Sequence, residues 1–452
     1  MDTKRVIDNM VQSGADYCDI REERWDRTVV VLRDGAVETV THGEEEGAML
    51  RVLYKTGWGY LGTSNLDSID RAARRAFSMA KSNSRYKKEE TGLSEIEILQ
   101  EEKNIPMKQN ICDVSPGEKI SFLQEVDTML REDFVRSIEL QYTDSLVEKE
   151  ISSSEGTHIK MRIPRVTIYI TVTGRSDTVQ RAVEGIGGTG GYEVTERVYS
   201  KTDMVTARLK SLLKAAPPPR GNLPLIMDPH LTGIFIHEAF GHAAEGDVVT
   251  SNNSCLAGKL GESVAAEPVT ISDDPTFHGY GQTPFDDEGT RAQPRILVKE
   301  GVFNDYIVDR ENGWMLGRAS NGGARAEDFR VKPLVRMSNT MLHPGTLTVE
   351  ELLEEVDNGV YAQSSSGGEV NPAQGTFQFN AQVAYKIEKG EITRPLRGVS
   401  FSGATLTTLQ NITGIAHDFE MGINQCGKGQ RVPVSSGGPH VLISAVAVGG
   451  RA

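Results

Sequence analysis

Two histidines and a glutamate stand within six residues, His237-Glu238-Ala239-Phe240-Gly241-His242, inside the segment PHLTGIFIHEAFGHAAEGD at 229–247. Such a group is the raw material of metal-assisted hydrolysis: rings hold a divalent ion and an acid beside it moves a proton. In the familiar zinc-peptidase helix the histidines are four apart and share one face. Here the interval is five, H-E-x-x-x-H, which sets the rings about 140° apart on a regular α-helix. They can meet on one ion only where the turn widens to the π form or unwinds at Gly241. The plainer alternative is a pair of core histidines with a buried, paired glutamate.

A catalytic zinc site has a third protein ligand and one open position. Glu245, Asp247, Cys255, His417 and Cys426 are the candidates, and spacing alone does not separate them. Cys426 lies in NQCGKGQ (424–430), where glycines let the backbone approach closely and a free thiol is a competent soft ligand. Glu245 and Asp247 are also suited to orienting the imidazoles. Asp286, Asp287 and Glu288 have no histidine among them and read as a solvated turn, with Arg325 and Arg336 as its structural partners. His230, His417 and His440 read as satisfied by neighbouring backbone. The run Ser364-Ser365-Ser366-Gly367-Gly368 lacks the context of a catalytic nucleophile.

The element that must carry the motif is a buried helix. Asp228 is suited to cap it and Pro229 to its first turn. Leu231, Ile234, Phe235, Glu238 and His242 fall on one stripe while Ile236 and Phe240 are apolar on the opposite side, so little face is left for water. Before it, the pattern predicts a helix over 1–16, strands at 17–24, 28–32, 47–52 and 59–61, and a helix over 66–82. A charged surface excursion over 83–116, a helix over 116–133 and hairpins over 136–173 follow. GIGGTGGYE at 185–193 spells G-x-G-x-x-G without the strand-to-helix setting of a dinucleotide site, so it reads as a flexible surface loop.

A helix over 202–213 runs into AAPPPRG, where three prolines end it and make a stiff spacer. The expected organisation is α+β: an N-terminal mixed domain over 1–214, a Pro-rich linker over 215–222, and a mainly antiparallel β domain over 223–452 that carries the motif helix. A short helix over 348–357 is expected there, with Thr348 and Glu351 forming a capping box.

The chain has 452 residues and a net charge of −14, which argues against broad phosphate-backbone binding and so against a nucleic-acid partner. Its four cysteines are scattered, as suits free thiols in a reducing compartment. The N-terminus has no apolar signal core, and no apolar run approaches the roughly 20 residues that span a bilayer. A soluble cytoplasmic protein without a membrane partner is expected.

Taken together, HEAFGHAAEGD (237–247), DDEGT (286–290) with the following RILVKEGVFNDYIVD, RMSNTMLHPG (336–345), CGKGQRVPVSSGGPHVLISAVAVGG (426–450) and GIGGTGGYE resemble the PmbA/TldD family of metallopeptidases, in its TldD-like branch. The likeness is strongest over 223–450. It implies one Zn2+ per chain held by His237, His242 and Cys426, with Glu238 as the catalytic base that takes a proton from water and returns it to the leaving amine. It also implies unfolded or extended polypeptides as substrates, and a dimer formed with a second copy or with a sister subunit lacking HExxxH. Mixed imidazole and thiolate ligation favours zinc. The competing expectation is a non-catalytic regulatory or scaffolding subunit; a small-molecule amidase is a third reading.

Overall fold

β-Branched, alternating stretches in the first half of the chain pair into one seven-stranded sheet in the computed structural model, which describes residues 2–87 and 89–450. Its order is Gly57–Thr63, Ala36–Tyr54, Tyr17–Arg33, Val135–Ser153, His158–Arg175, Gln100–Asn104, with Val179–Thr189 also pairing with His158–Arg175. The separate strands expected at 17–24 and 28–32 are one strand of 17 residues. Trp25, Asp26 and Arg27 between them are held extended by partners on both sides, Glu45, Glu44 and Gly43 on one and Val147, Leu146 and Ser145 on the other. The excursion at 83–116 likewise contains Gln100–Asn104, paired in parallel with the His158–Arg175 strand. Helices Thr3–Gln12 and Ile69–Asn83 pack Val6, Ile7, Met10, Ala73 and Ala76 on Ile20 and Leu50. Pro116–Met129, opened by a Ser115/Glu118 capping box, and Thr202–Leu212 cover a second apolar cluster.

The second half forms a seven-stranded and a six-stranded sheet beside a two-stranded one. The first has the order Asn358–Asn371, Gly221–Met227, Val441–Gly450, Val399–Ala404, Thr376–Glu388, Glu391–Leu396, with Ile412–Ile415 also on Val441–Gly450. The second runs Val302–Phe303, Arg295–Lys299, Ile271–Asp273, Asn339–Leu342, Val432–Gly438, Glu420–Cys426. Most pairings are antiparallel, and the molecule is an α+β fold as expected. The motif helix meets strands of both larger sheets. Leu231, Phe235, Ile236 and Phe240 all enter one core with Met227, Phe303, Phe377 and Phe379. The two-sided apolar pattern is therefore a helix covered on both flanks. Val349–Glu354 carries the Thr348/Glu351 capping box, while short helices at Arg310–Met315 and Thr405–Gln410 stand among what reads in sequence as strands. The proline-rich segment is pinned at its start: Ala216 N–H donates to Pro395 O (2.9 Å), and Arg397 N–H to Ala216 O (3.0 Å).

The glycine-rich segment is no flexible loop: Gly185 to Thr189 are paired residue by residue with Tyr169 to Arg165, and Tyr192–Val198 is a short 3-10 helix. Its glycines are set by close packing. A Cβ at Gly187 would lie 2.5 Å from Val166 O and 3.1 Å from Ile423 Cδ1, so absent side chains let the strand that ends at Cys426 rest on it. The acidic turn is not solvated either. Asp286, Asp287 and Glu288 are buried. Lys149 bonds Asp287 (2.6 Å) and Arg51 bonds Glu288 (2.7 Å), both cations coming from the N-terminal sheet. Asp286 takes the N–H groups of Glu288, Thr290 and Ala324. Solvation is replaced by ion pairs and backbone donors, the condition under which buried carboxylates persist.

Gly187→Ala should lower the unfolding free energy by about 1–3 kcal/mol in urea titrations, because backbone rather than a flexible side chain meets the added atom. Burial would push the Asp287 carboxyl up, but Lys149 and Arg21 overrule it and hold the group below the ordinary carboxylate range. A carboxylate depressed in the folded state stabilises above its unfolded value of ~3.9 and loses that stabilisation as pH falls through its folded value. The stability gap between the parent and Asp287→Asn, on the order of 2 kcal/mol near neutrality, should therefore shrink in denaturation curves as pH falls from about 5 to 2. A gap unchanged over that range would refute this assignment.

Candidate metal centre

The motif helix begins where the sequence predicts. Asp228 accepts from Leu231 N–H (2.8 Å) and also from Ser364 N–H (3.0 Å), tying the cap to a neighbouring strand. Pro229–Phe235 is α-helical, Ile236–Phe240 forms a π turn, and Gly241–Ala244 continues as 3-10 helix. In a π turn each bond spans five residues instead of four. An interval that divides two rings on a regular helix thus brings them together, and the ring centroids of His237 and His242 are 5.2 Å apart. Gly241 is required for packing at the next turn, since a Cβ there would lie 2.1 Å from Met337 Sδ.

Cys426 reaches the pair from the end of the edge strand Glu420–Cys426. Its Sγ lies 3.3 Å from His242 Nε2, and ligand atoms of His237, His242 and Cys426 all fall within 4.8 Å of one another. Nitrogen and sulfur ligands of a tetrahedral zinc would be separated by roughly 3.3–3.8 Å, so the set is close to that spacing. His237 is 2% exposed and Cys426 3%, and among the described residues neither ring nitrogen of His237 has a hydrogen-bond partner. A buried imidazole left so is costly unless something binds it. Donor set, spacing and orphaned nitrogens all fit a soft divalent cation. Among the described residues no other cluster of His, Cys, Asp and Glu converges in this way.

The surroundings orient these donors. Glu245 Oε2 is 2.8 Å from His242 Nδ1, which turns Nε2 toward the sulfur. Lys428 donates to Glu245 (3.0 Å), to Asp247 (2.9 Å) and to Val335 O (2.7 Å). Arg336 donates to the carbonyls of Cys426 and Gln430, holding the loop after the cysteine, and Arg325 donates to Met337 O and Pro433 O. Both arginines therefore serve backbone carbonyls, not the acidic turn as expected, because the turn already has Lys149 and Arg51. Burial would push the Cys426 thiol up, but the His237 and His242 rings beside it overrule that and bring it down to about 4. Burial also opposes ionisation of Glu245, yet His242 and Lys428 lower its carboxyl to about 2.

Glu238 belongs to the same π turn and its side chain is 38% exposed, with Oε2 3.7 Å from His242 Nε2. It faces a cleft of about 320 Å³ that His230, Ser365, Asn424 and Ser436 also line. The other candidate ligands lie elsewhere or serve other bonds. His417 Nδ1 meets Leu347 O (2.8 Å), Asp247 takes Lys428, and Cys255 stays outside the cluster. His440 bonds the side chains of Asp418 (2.7 Å) and Tyr361 (2.9 Å) instead of backbone, and His230 Nδ1 has no partner among the described residues. Lys428 and Asn424 escaped the sequence reading, as did the role of Arg336 at the Cys426 loop. The lysine two positions after Cys426 was the available signal; the other two carry none.

Lys428→Met would leave Glu245 and Asp247 without their shared cation. A loss of about 2–3 kcal/mol is expected in urea unfolding of metal-stripped protein, and no loss would mean that the pairing is idle.

Three family models match along the chain: PmbA/TldA metallopeptidase domain 1 over 18–80, the central domain over 109–213 and the C-terminal domain over 220–450. A metalloprotease of Methanothermobacter thermautotrophicus is 38% identical, with 97% of each chain covered. A protein of Saccharolobus solfataricus named zinc metalloprotease TldD homolog is 31% identical, with 99% of each chain covered. In fold, TldE from Thermococcus kodakarensis superposes with a TM-score of 0.83 at 19% identity, over 99% of this chain and 100% of that one. With all three family domains in order and relatives matching over nearly full length, the chain belongs to the PmbA/TldD metallopeptidase family.

Proposed function

We propose that this chain is a zinc-dependent peptidase of the TldD-like branch, acting on extended or unfolded polypeptides. The observation that carries the reading is the meeting of His237, His242 and Cys426 beside a carboxylate that remains open to a cleft. A zinc ion held by those three donors, one per chain, would supply Lewis acidity toward a water and toward the scissile carbonyl. Glu238 is the general base. It lies next to a ligand without being one, and it can take a proton from water and deliver it to the leaving amine. Glu245 fixes the His242 tautomer, while Lys428 and Arg336 hold the Cys426 loop in register with the helix. A thiolate in the donor set makes the site less electrophilic than three imidazoles would.

The strand Glu420–Cys426 supports the substrate class. Among the described residues it pairs along one side only, with Val432–Gly438, and its Asn424 lines the cleft at Glu238. A free strand edge leading to the ligand cysteine suits an extended chain bound through its backbone, with little demand on side chains. The four free thiols support a reducing, cytoplasmic setting, and no helix among the described residues is long and apolar enough to cross a membrane. The acting unit in this reading is a dimer with a second copy or with a sister subunit lacking HExxxH. Light scattering of the purified chain should give either a dimer or a monomer that pairs on addition of such a sister.

Glu238→Gln separates catalysis from a regulatory or scaffolding role. It should retain one zinc per chain by elemental analysis and lose peptide hydrolysis by about 10²–10⁴-fold. Zinc retention with undiminished cleavage would overturn the assignment. Glu245→Ala should weaken zinc binding by about 10–100-fold in competition with a chromophoric chelator.

A further inference from the structure

The cleft at Glu238 does not end there. A second one, of about 270 Å³, lies beside it along the same strand edge, and His230 lines both. Ser364 lines one and Ser365 the other; likewise Gly422 and Ile423 line one and Asn424 the other. The two clefts adjoin at the imidazole of His230 and follow one another along the strand as a groove. That ring packs directly on Gly422, where a Cβ would lie 2.5 Å from its Cδ2. Its Nδ1 is buried and has no hydrogen-bond partner among the described residues.

The far part of the groove carries three cations from the N-terminal half, Arg197, Lys201 and Arg208, alongside the carboxylates of Glu184, Asp228 and Glu420. Arg197 donates to Gly187 O (2.9 Å), which pins the guanidinium on the glycine strand, and it has no carboxylate partner among the described residues. Lys201 meets Glu420 at 3.4 Å in a solvent-exposed pair, a contact that a bound carboxylate can replace at little loss. Arg208 is already taken by Glu184 (2.9 Å). On a chain of net charge −14, an uncommitted arginine and a loosely held lysine at the end of a groove that leads to the candidate centre favour an anion.

We infer that this second cleft is a subsite for a carboxylate of the bound polypeptide, with Arg197 and Lys201 as its ion-pair donors and His230 bonding the chain where the clefts adjoin. The inference rests on the peptidase reading for the identity of the ligand. From Glu420 to Cys426 a strand advances about 20 Å at roughly 3.3 Å per residue. A carboxylate seated at the cations therefore lies roughly four to six residues from the bond to be cut. A C-terminal carboxylate there would make the protein release short oligopeptides from chain ends, and an acidic side chain would set a sequence preference at that distance.

The test measures binding apart from turnover. Full-length zinc-loaded Glu238→Gln protein is titrated with three fluorescent unstructured peptides of one sequence: one ends in a free carboxylate, one is amidated, and one is amidated with Glu as its last residue. Anisotropy should give at least about tenfold tighter binding for the free acid than for the plain amide. Adding Arg197→Gln with Lys201→Gln should abolish that difference while the thermal midpoint stays unchanged. Recovery by the Glu peptide assigns the subsite to any carboxylate, and no recovery assigns it to the chain terminus; both support it. Equal affinities for acid and amide, a preference that survives the double substitution, or no binding of any peptide would overturn it. Cleavage by the parent is scored separately. If the parent cuts none of the peptides while the binding preference stands, the peptidase reading fails and the subsite remains. If it cuts acid and amide alike and binds them alike, the reverse holds.

Discussion

The arrangement depends on one widened helical turn. Five residues separate His237 from His242, and only where the backbone bonds shift to the π pattern over Ile236–Phe240 do the two rings come within 5.2 Å. Such turns are rare because their hydrogen-bond geometry is unfavourable in isolation. This one is held by its setting: Asp228 anchors the preceding turn, Phe235 and Phe240 are buried on either side, and Met337 closes over Gly241. Packing energy from two sheets stabilises a local geometry that the helix would not adopt alone.

The third donor is brought in by a separate mechanism. Cys426 ends an edge strand whose Ile423 rests on the glycines of the N-terminal sheet, and whose following loop is gripped by Arg336 and Lys428. The site therefore draws on both halves of the chain. The same coupling recurs at the acidic turn, where Lys149 and Arg51 reach across to Asp287 and Glu288. Buried ion pairs contribute little net stability but make a wrong docking of the halves costly. Here they join the N-terminal sheet to the turn at 286–288.

Family membership and geometry bear on different parts of the functional reading. The relatives fix the family; the structure supplies donors with the spacing and burial for a metal, a carboxylate open to a cleft, and a free strand edge beside it. Cys426 illustrates how the environment changes a residue's chemistry. A buried thiol is ordinarily a small apolar group, and it is the pair of imidazoles at this site that favours its thiolate.

Much of the local structure was legible in the chain itself. The Asp228 cap, the Pro229 first turn, the two-sided burial of the motif helix, the capping box at Thr348 and the need for a turn that widens or unwinds all follow from residue type and spacing, because they involve neighbours a few positions apart. The interval of five even stated the condition for a shared ion. What only the tertiary structure decided involves partners far away in sequence. Bringing Cys426, and not Cys255, Asp247 or His417, beside the two imidazoles, turning GIGG into a packed strand, burying the DDEGT turn and directing Arg336 to a carbonyl 90 residues away all depend on which surfaces meet. Spacing carries no information about such meetings, since they are set by the summed burial and pairing of whole sheets.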